Sequence, residues 1–215
     1  MAGIIMVMLG LLFTTVNVPL ITIKAYPEYH MIYNDSQMGE VIQKYVAHNM
    51  IGDKCTADIF SDVLGYIFIL IGISLLIKYN IKFIRIYIPV IATTALYVFM
   101  KYLPFMYEGK ALIINGLWVS FVLLVVRIFT ERMIVYTIAD STSDLPNQRD
   151  TVLMKFGWVG SALCRAFLYF IVLVGLADWI ISVYVVVQIG FMIFCLDRMF
   201  RCRDYLKREE VKEKE

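Results

Sequence analysis

The chain has 215 residues, 60% of them hydrophobic and only 18% charged, with a mean hydropathy of +0.74. Soluble domains are about half apolar and about a quarter charged. This composition therefore excludes an ordinary water-soluble globule and predicts an all-α, polytopic transmembrane bundle. The net charge is +2, and without a basic cluster interleaved with aromatics it gives no sign of a nucleic-acid partner.

Six apolar spans can be drawn, over residues 3–23, 60–77, 86–103, 111–127, 157–176 and 179–196. The first, "GIIMVMLGLLFTTVNVPLITI", lacks a basic leader and has a poor cleavage site, so it is expected to stay as an uncleaved helix. Asn17 and Pro19 within it predict a kink with open carbonyls.

Residues 24–59 follow as an outer loop. Within it, "DSQMGEVIQKYVAHNMIG" has Asp35 or Ser36 as cap and Gly52 as stop, with Met38, Val41, Ile42 and Tyr45 on one face. That pattern predicts an amphipathic helix lying in the outer interface or over the bundle. His30, His48, Cys55, Asp35 and Asp53 also lie in or beside this helix, but no H-x-x-H or C-x-x-C spacing is present, so no metal or cofactor is expected. "HNMIGDKC" pairs His48 with Cys55 at a separation similar to that in membrane peptidases that process quorum-sensing peptides. The Gly-Gly that precedes the histidine in that family is missing here.

In span two, Asp58, Asp62 and Tyr66 recur at i, i+4 and i+8, which predicts a shared helix face with an outer acidic pair, Asp58 and Asp62, favoured by the helix dipole. The segment "ADIFSDVLGYIFILIGISLLIKY" resembles a stretch in uncharacterised multi-pass membrane proteins of Firmicutes. Asp58, Asp62, Gly65, Tyr66, Gly72 and Leu75 match that pattern, and Ser61 stands where a proline is expected. The resemblance implies a bacterial plasma membrane and no particular activity.

Orientation follows from the basic residues, which accumulate in cytoplasmic loops. With both termini inside, the inner segments hold fourteen: Lys78, Lys82 and Arg85, then Arg127, Arg132, Arg149 and Lys155, then seven from Arg198 to Lys214. The outer segments hold five, namely Lys24, Lys44, Lys54, Lys101 and Lys110, and Arg165 is the twentieth. After span four, "ADSTSDLPNQRD" reads as an inner loop. Asp144 and Pro146 there are suited to start a helix that runs into span five. Trp158 and Trp179 are then expected near opposite interfaces, and Trp118 needs a packing explanation.

From Ala166 to Leu196 an unbroken helix would be about 46 Å long, too long for one membrane core and too short for two. Starting instead at Gly157 gives two spans that turn at "LADW" and puts Arg165 about 15 Å below the inner boundary. The competing reading makes residues 151–164 an interfacial helix and spans five and six short or re-entrant. In the hairpin, Gln188 sits opposite Arg165 at the same depth. A membrane-buried arginine needs a counter-charge, and the candidates are a partner subunit, an anionic lipid or solute, or Asp62.

Arg165, Gln188, Asn115 and Asn17 are the candidate intramembrane polar site, as a solute pathway or as interhelical hydrogen-bond glue. The tail, 197–215, is charged and cytoplasmic, with Arg198, Arg201 and Arg203 placed to meet lipid headgroups. No nucleotide, zinc-protease or serine-hydrolase motif is present. The expected role is a non-catalytic accessory, sensor or scaffold subunit of a membrane assembly, with a protein partner or self-association. The alternatives are a small-solute or ion carrier or channel built around Arg165, and a thiol-dependent membrane peptidase.

Overall fold

A computed structural model describes residues 2–16, 19–23, 55–58, 62–107, 109–142, 148–174 and 178–212. Helix α1 (Ala2–Thr15) ends where the sequence turns β-branched. Thr14 and Thr15 donate their hydroxyls back to the Leu11 carbonyl at 3.1 and 2.7 Å. Pro19 then lacks the N–H that a continued helix would need. Strand β1 (Pro19–Ile23) follows and pairs antiparallel with β2 (Cys55–Asp58), in a register from Pro19↔Asp58 to Ile23↔Cys55 with an irregularity between Pro19 and Ile21.

The first expected span is thus a helix for only its first two-thirds. Asp58 is in a strand, and helix α2 (Asp62–Leu76) begins four residues later. The predicted shared helix face of Asp58 and Asp62 is therefore not formed. Asp62 is also buried, where an exposed acidic turn was expected.

Helices α1 and α2 pack antiparallel on facing glycines spaced seven apart. Gly3 meets Gly72, and Gly10 meets Gly65; a Cβ on Gly72 would stand 2.7 Å from the Gly3 carbonyl oxygen. Backbones can approach this closely only where side chains are missing, which is how helices associate tightly in apolar surroundings.

A 3-10 segment (Ile81–Ile86), capped by the Asn80 side chain accepting from Lys82 N at 2.9 Å, leads into α3 (Tyr87–Met106). Helix α4 (Gly109–Ser141) is 33 residues long, far beyond the expected 111–127. Between Gly116 and Pro146 its sequence has no glycine or proline to stop it. Helix α5 (Gln148–Val174) runs unbroken through Trp158 and Arg165. Helix α6 (Asp178–Lys212) packs back along it, and residues 151–164 are part of α5 and not a separate helix.

Each helix packs against its neighbours in the chain, and α6 closes back onto α1. The six α-helices of the described residues therefore form a ring. Its ends are fixed by paired residues: Asp140 Oδ1 with Lys155 Nζ at 3.0 Å and Asp150 Oδ1 with Arg198 Nη1 at 2.9 Å mark the tail end. The Tyr169 hydroxyl, donating to the Leu117 carbonyl at 3.1 Å, lies toward the other end. The larger buried cluster fills the tail half with residues such as Ile69, Ile73, Ile134, Ile138, Met154 and Met199. A smaller one, Met100, Leu103, Leu123 and Tyr169, sits in the loop half.

The outside of the ring is apolar. Ile114, Trp118, Phe121, Val125 and Phe129 form one exposed stripe on α4, and Val152, Phe156, Leu163, Phe167 and Phe170 another on α5. Their i, i+4, i+7 spacing marks helix faces turned outward. An exposed apolar belt this extensive is foreign to a water-soluble monomer. Among the described residues, three stretches, Ile81–Met100, Gln148–Phe170 and Ser182–Arg203, are long and apolar enough to cross a membrane, whereas Ala2–Thr15 and Asp62–Leu76 are apolar but shorter. At 1.5 Å per residue the two short helices reach about 21–22 Å against a hydrocarbon core of about 30 Å.

The expected outer helix over 35–52, His30, His48, Asn17, and the cap at Asp144 and Pro146 lie outside the described residues, as does the side chain of Trp179. Trp158 is buried and edge-on to Tyr136, with ring centroids 5.7 Å apart. Trp118 needs no packing partner, since it is 66% exposed on the apolar belt.

Candidate functional site

Inside the ring, α4 carries Arg127 and Glu131 one turn apart. Glu131 Oε1 accepts from Arg127 Nε at 3.0 Å and from Arg165 Nη1 of α5 at 2.7 Å. Glu131 is 2% exposed and Arg165 8%. The counter-charge of Arg165 is therefore in this chain, on a residue that the sequence places beyond the end of span four. Arg127 bonds in addition to the Thr14 carbonyl through Nη2. That carbonyl is one of the four at the end of α1 without an intrahelical partner. The guanidinium thus satisfies it and also lies at the negative end of the helix dipole.

The charges sit well inside the ring. Arg165 lies ten residues, about 15 Å, beyond Lys155 at the tail end. Asp62, in the first turn of α2, is on the same level as the end of α1 because the two helices are antiparallel and nearly equal in length. Its carboxylate is bonded to Tyr97 of α3. Arg127, Arg165, Glu131 and Asp62 together form a neutral set of four charges, which is what makes their burial tolerable.

Arg127, Arg165 and Asp62 border a cavity of about 410 Å³ in the half of the ring that holds Tyr169, and Glu131 stands behind its wall. All six helices contribute to it. Thr14, Asp62, Tyr97, Arg127, Arg165 and Gln188 give its polar wall, and the remainder is mostly aliphatic. The size falls within the range of small-molecule sites, as does an apolar lining with a few converging polar groups.

Several polar atoms around this centre are buried and have no partner among the described residues: Arg165 Nε and Nη2, Glu131 Oε2 and the Tyr66 hydroxyl. Buried polar atoms are nearly always satisfied, by protein groups or by ordered water. Arg165 is the informative case. Glu131 takes Nη1, and Nε and Nη2 are buried without a partner among the described residues.

Of the residues singled out from the sequence, Arg165 and Gln188 converge on this cavity as expected. Asn115 is half-buried on α4 and is not part of the lining. Asp62 joins the site, and Asp58 remains in its strand. Arg198 is largely buried and pairs with Asp150 at 2.9 Å at the tail end. Arg201 is exposed and pairs with Asp197 at 3.3 Å, and Arg203 stacks over Phe200 at 4.0 Å. Sequence reading missed Arg127 and Glu131 as site residues. Their signal was an opposite-charge pair at i, i+4 inside a helical apolar pattern that resumes with "MIVYTIA".

Compared with known family models, curated proteins and solved structures, the chain matches none.

Proposed function

We propose that this protein is a multi-pass carrier of a small polar solute in a plasma membrane, with both termini cytoplasmic and the cavity opening to the outer half. The single observation behind this reading is the cavity itself. All six helices line it, and its wall brings together Asp62, Tyr97, Arg127, Arg165 and Gln188. The basic residues concentrated toward the tail end support the orientation. The similarity of the Asp58 to Leu75 segment to Firmicutes membrane proteins supports a bacterial host. Helices α1 and α2 stop at the level of the charges, with a carbonyl end and an N–H end at the site. Interrupted helices of this kind are where secondary transporters place their binding sites.

An accessory or scaffold role drew its support from an Arg165 in search of a partner's carboxylate. Glu131 supplies that carboxylate within the chain, so the carrier reading is preferred. The test is flux in proteoliposomes with a panel of neutral, anionic and cationic solutes. Flux of at least one solute is expected, lost in Leu168→Trp, which fills the cavity. Absence of flux for the whole panel, with no solute raising the thermal midpoint of the purified protein, would overturn the proposal.

A further inference from the structure

Within the carrier reading, on which this rests, we infer that the cavity selects an uncharged amphiphile with a primary amide head, and that Gln188 reads that head group. Most of the polar wall is already engaged within the protein. Thr14 and Thr15 donate to the Leu11 carbonyl at 3.1 and 2.7 Å, and Ser120 donates to the Gly116 carbonyl at 2.6 Å. Tyr169 donates to the Leu117 carbonyl at 3.1 Å, and Tyr97 is bonded to Asp62. Arg165 gives Nη1 to Glu131, and Arg127 gives Nε to Glu131 and Nη2 to the Thr14 carbonyl. Gln188 of α6 differs. It borders the cavity and is only 8% exposed. Its amide has no partner among the described residues, yet neither amide atom belongs to the sealed set that contains Arg165 Nε and Nη2. The amide therefore opens on the cavity.

A glutamine amide presents an acceptor oxygen beside two N–H donors in one plane. A ligand that displaces water from it must answer both ends, because a buried polar group left unpaired is costly. A carboxamide does so with two parallel hydrogen bonds, its N–H to Oε1 and its oxygen from Nε2. Charge then narrows the class. Arg127, Arg165, Glu131 and Asp62 sum to zero, and an ion in the cavity would add a charge without compensation in a region of low dielectric. Carboxylates and ammonium ions of the same shape are therefore rejected. The rest of the wall, with Met100, Leu123, Leu168, Val185 and Ile189, is apolar and receives a short aliphatic body.

The experiment uses the purified full chain in detergent at neutral pH, with pentanamide as probe and Leu168→Trp protein as background. Binding is measured by calorimetry and compared with four relatives that share its butyl body. Hexan-2-one keeps the carbonyl and loses the N–H groups, so it should bind at least about tenfold more weakly. Pentanoate and pentylammonium carry a net charge and should be weaker by at least about a hundredfold. Norleucine, which carries both charges, should also be weaker than pentanamide. Gln188→Leu should bring pentanamide down to the level of hexan-2-one and leave hexan-2-one itself unweakened, a split that a merely structural role for Gln188 would not produce. If that variant does not fold, the wild-type order of the five probes decides. Equal binding of pentanamide and hexan-2-one overturns the head-group reading. Tighter binding of pentanoate, pentylammonium or norleucine overturns the uncharged class. Gln188→Leu protein that weakens both probes alike, or neither, overturns the assignment to Gln188. Each of these leaves the carrier reading intact. If no probe binds but another solute is carried, this inference alone fails; if nothing binds or is carried, both fail.

Discussion

Gly10 and Gly65 face each other across the contact between α1 and α2. A Cβ on Gly65 would stand 2.7 Å from Thr14 Cγ2 and 2.9 Å from the Gly10 carbonyl oxygen. Both distances are shorter than real Cβ contacts, and the oxygen belongs to a backbone that cannot swing away. Gly65→Ala is therefore expected to destabilise the protein by about 1–2 kcal/mol, as overpacking outweighs the gain in helix propensity. A Cβ on Gly190 of α6 would meet nothing within 4 Å, and Gly190→Ala should be neutral or stabilising by up to about 1 kcal/mol. Unfolding in graded denaturing detergent measures both. Equal effects would mean that the α1–α2 contact is looser than these distances require.

Removal of Glu131 should be worse than removal of Arg165. Glu131→Ala leaves two buried guanidinium groups without a carboxylate acceptor, and about 3–5 kcal/mol of stability is expected to go with it. Arg165→Met leaves Glu131 still paired with Arg127 at 3.0 Å, so its loss should be clearly smaller. The same unfolding assay ranks the two. The reverse order would place the essential ion pair elsewhere.

Trp118 offers a test of where the membrane lies. It is exposed on α4, and Trp158 is buried against Tyr136. In bilayers with brominated acyl chains, a variant keeping only Trp118 should lose most of its fluorescence, and one keeping only Trp158 should retain most of it. An unquenched Trp118 would take that face of α4 out of the hydrocarbon.

The tail-end arginines should separate into two behaviours. Arg198 and Asp150 are both largely buried in their 2.9 Å pair, and charge-assisted hydrogen bonds of this kind are worth about 1.5–3 kcal/mol. Asp150→Asn and Arg198→Gln should each destabilise the protein, with a double-mutant cycle giving a coupling of about 1–2 kcal/mol. Arg201→Gln should leave stability within about 0.5 kcal/mol. A cycle with no coupling would show that the α5–α6 pair adds nothing.

The helices were legible because apolar runs and breakers are local properties. Asp178 of "LADW" begins α6, and the β-branched "TTV" followed by Pro19 stands at the end of α1. Arg165 was legible as an anomaly, since one charge in a long apolar run is visible at once. Its partner was not. Arg127 looks like the end of a span when each charge is taken singly, and only helix geometry puts Glu131 on the same inward face. Which helices are neighbours is also a non-local fact, and without the ring nothing places Asp62 opposite Arg127. The same holds for Asp58, whose spacing from Asp62 fits a helix that gives way to strand pairing with Pro19.

Arg127 anchors the end of α1 about 20 Å from the tail end of the ring, and α2 starts at the same height. On that side the helices are roughly half as tall as those on the opposite flank, 14 and 15 residues against 33 and 27. Acyl chains there must compress or tilt, at a fraction of a kcal/mol per ångström. Short-chain lipids relieve this mismatch, and long-chain lipids pull on the strands that carry the chain from α1 and into α2. The bond between Arg127 and the Thr14 carbonyl lies at the end of that short flank, so the rim of the cavity is the expected place for bilayer thickness to act.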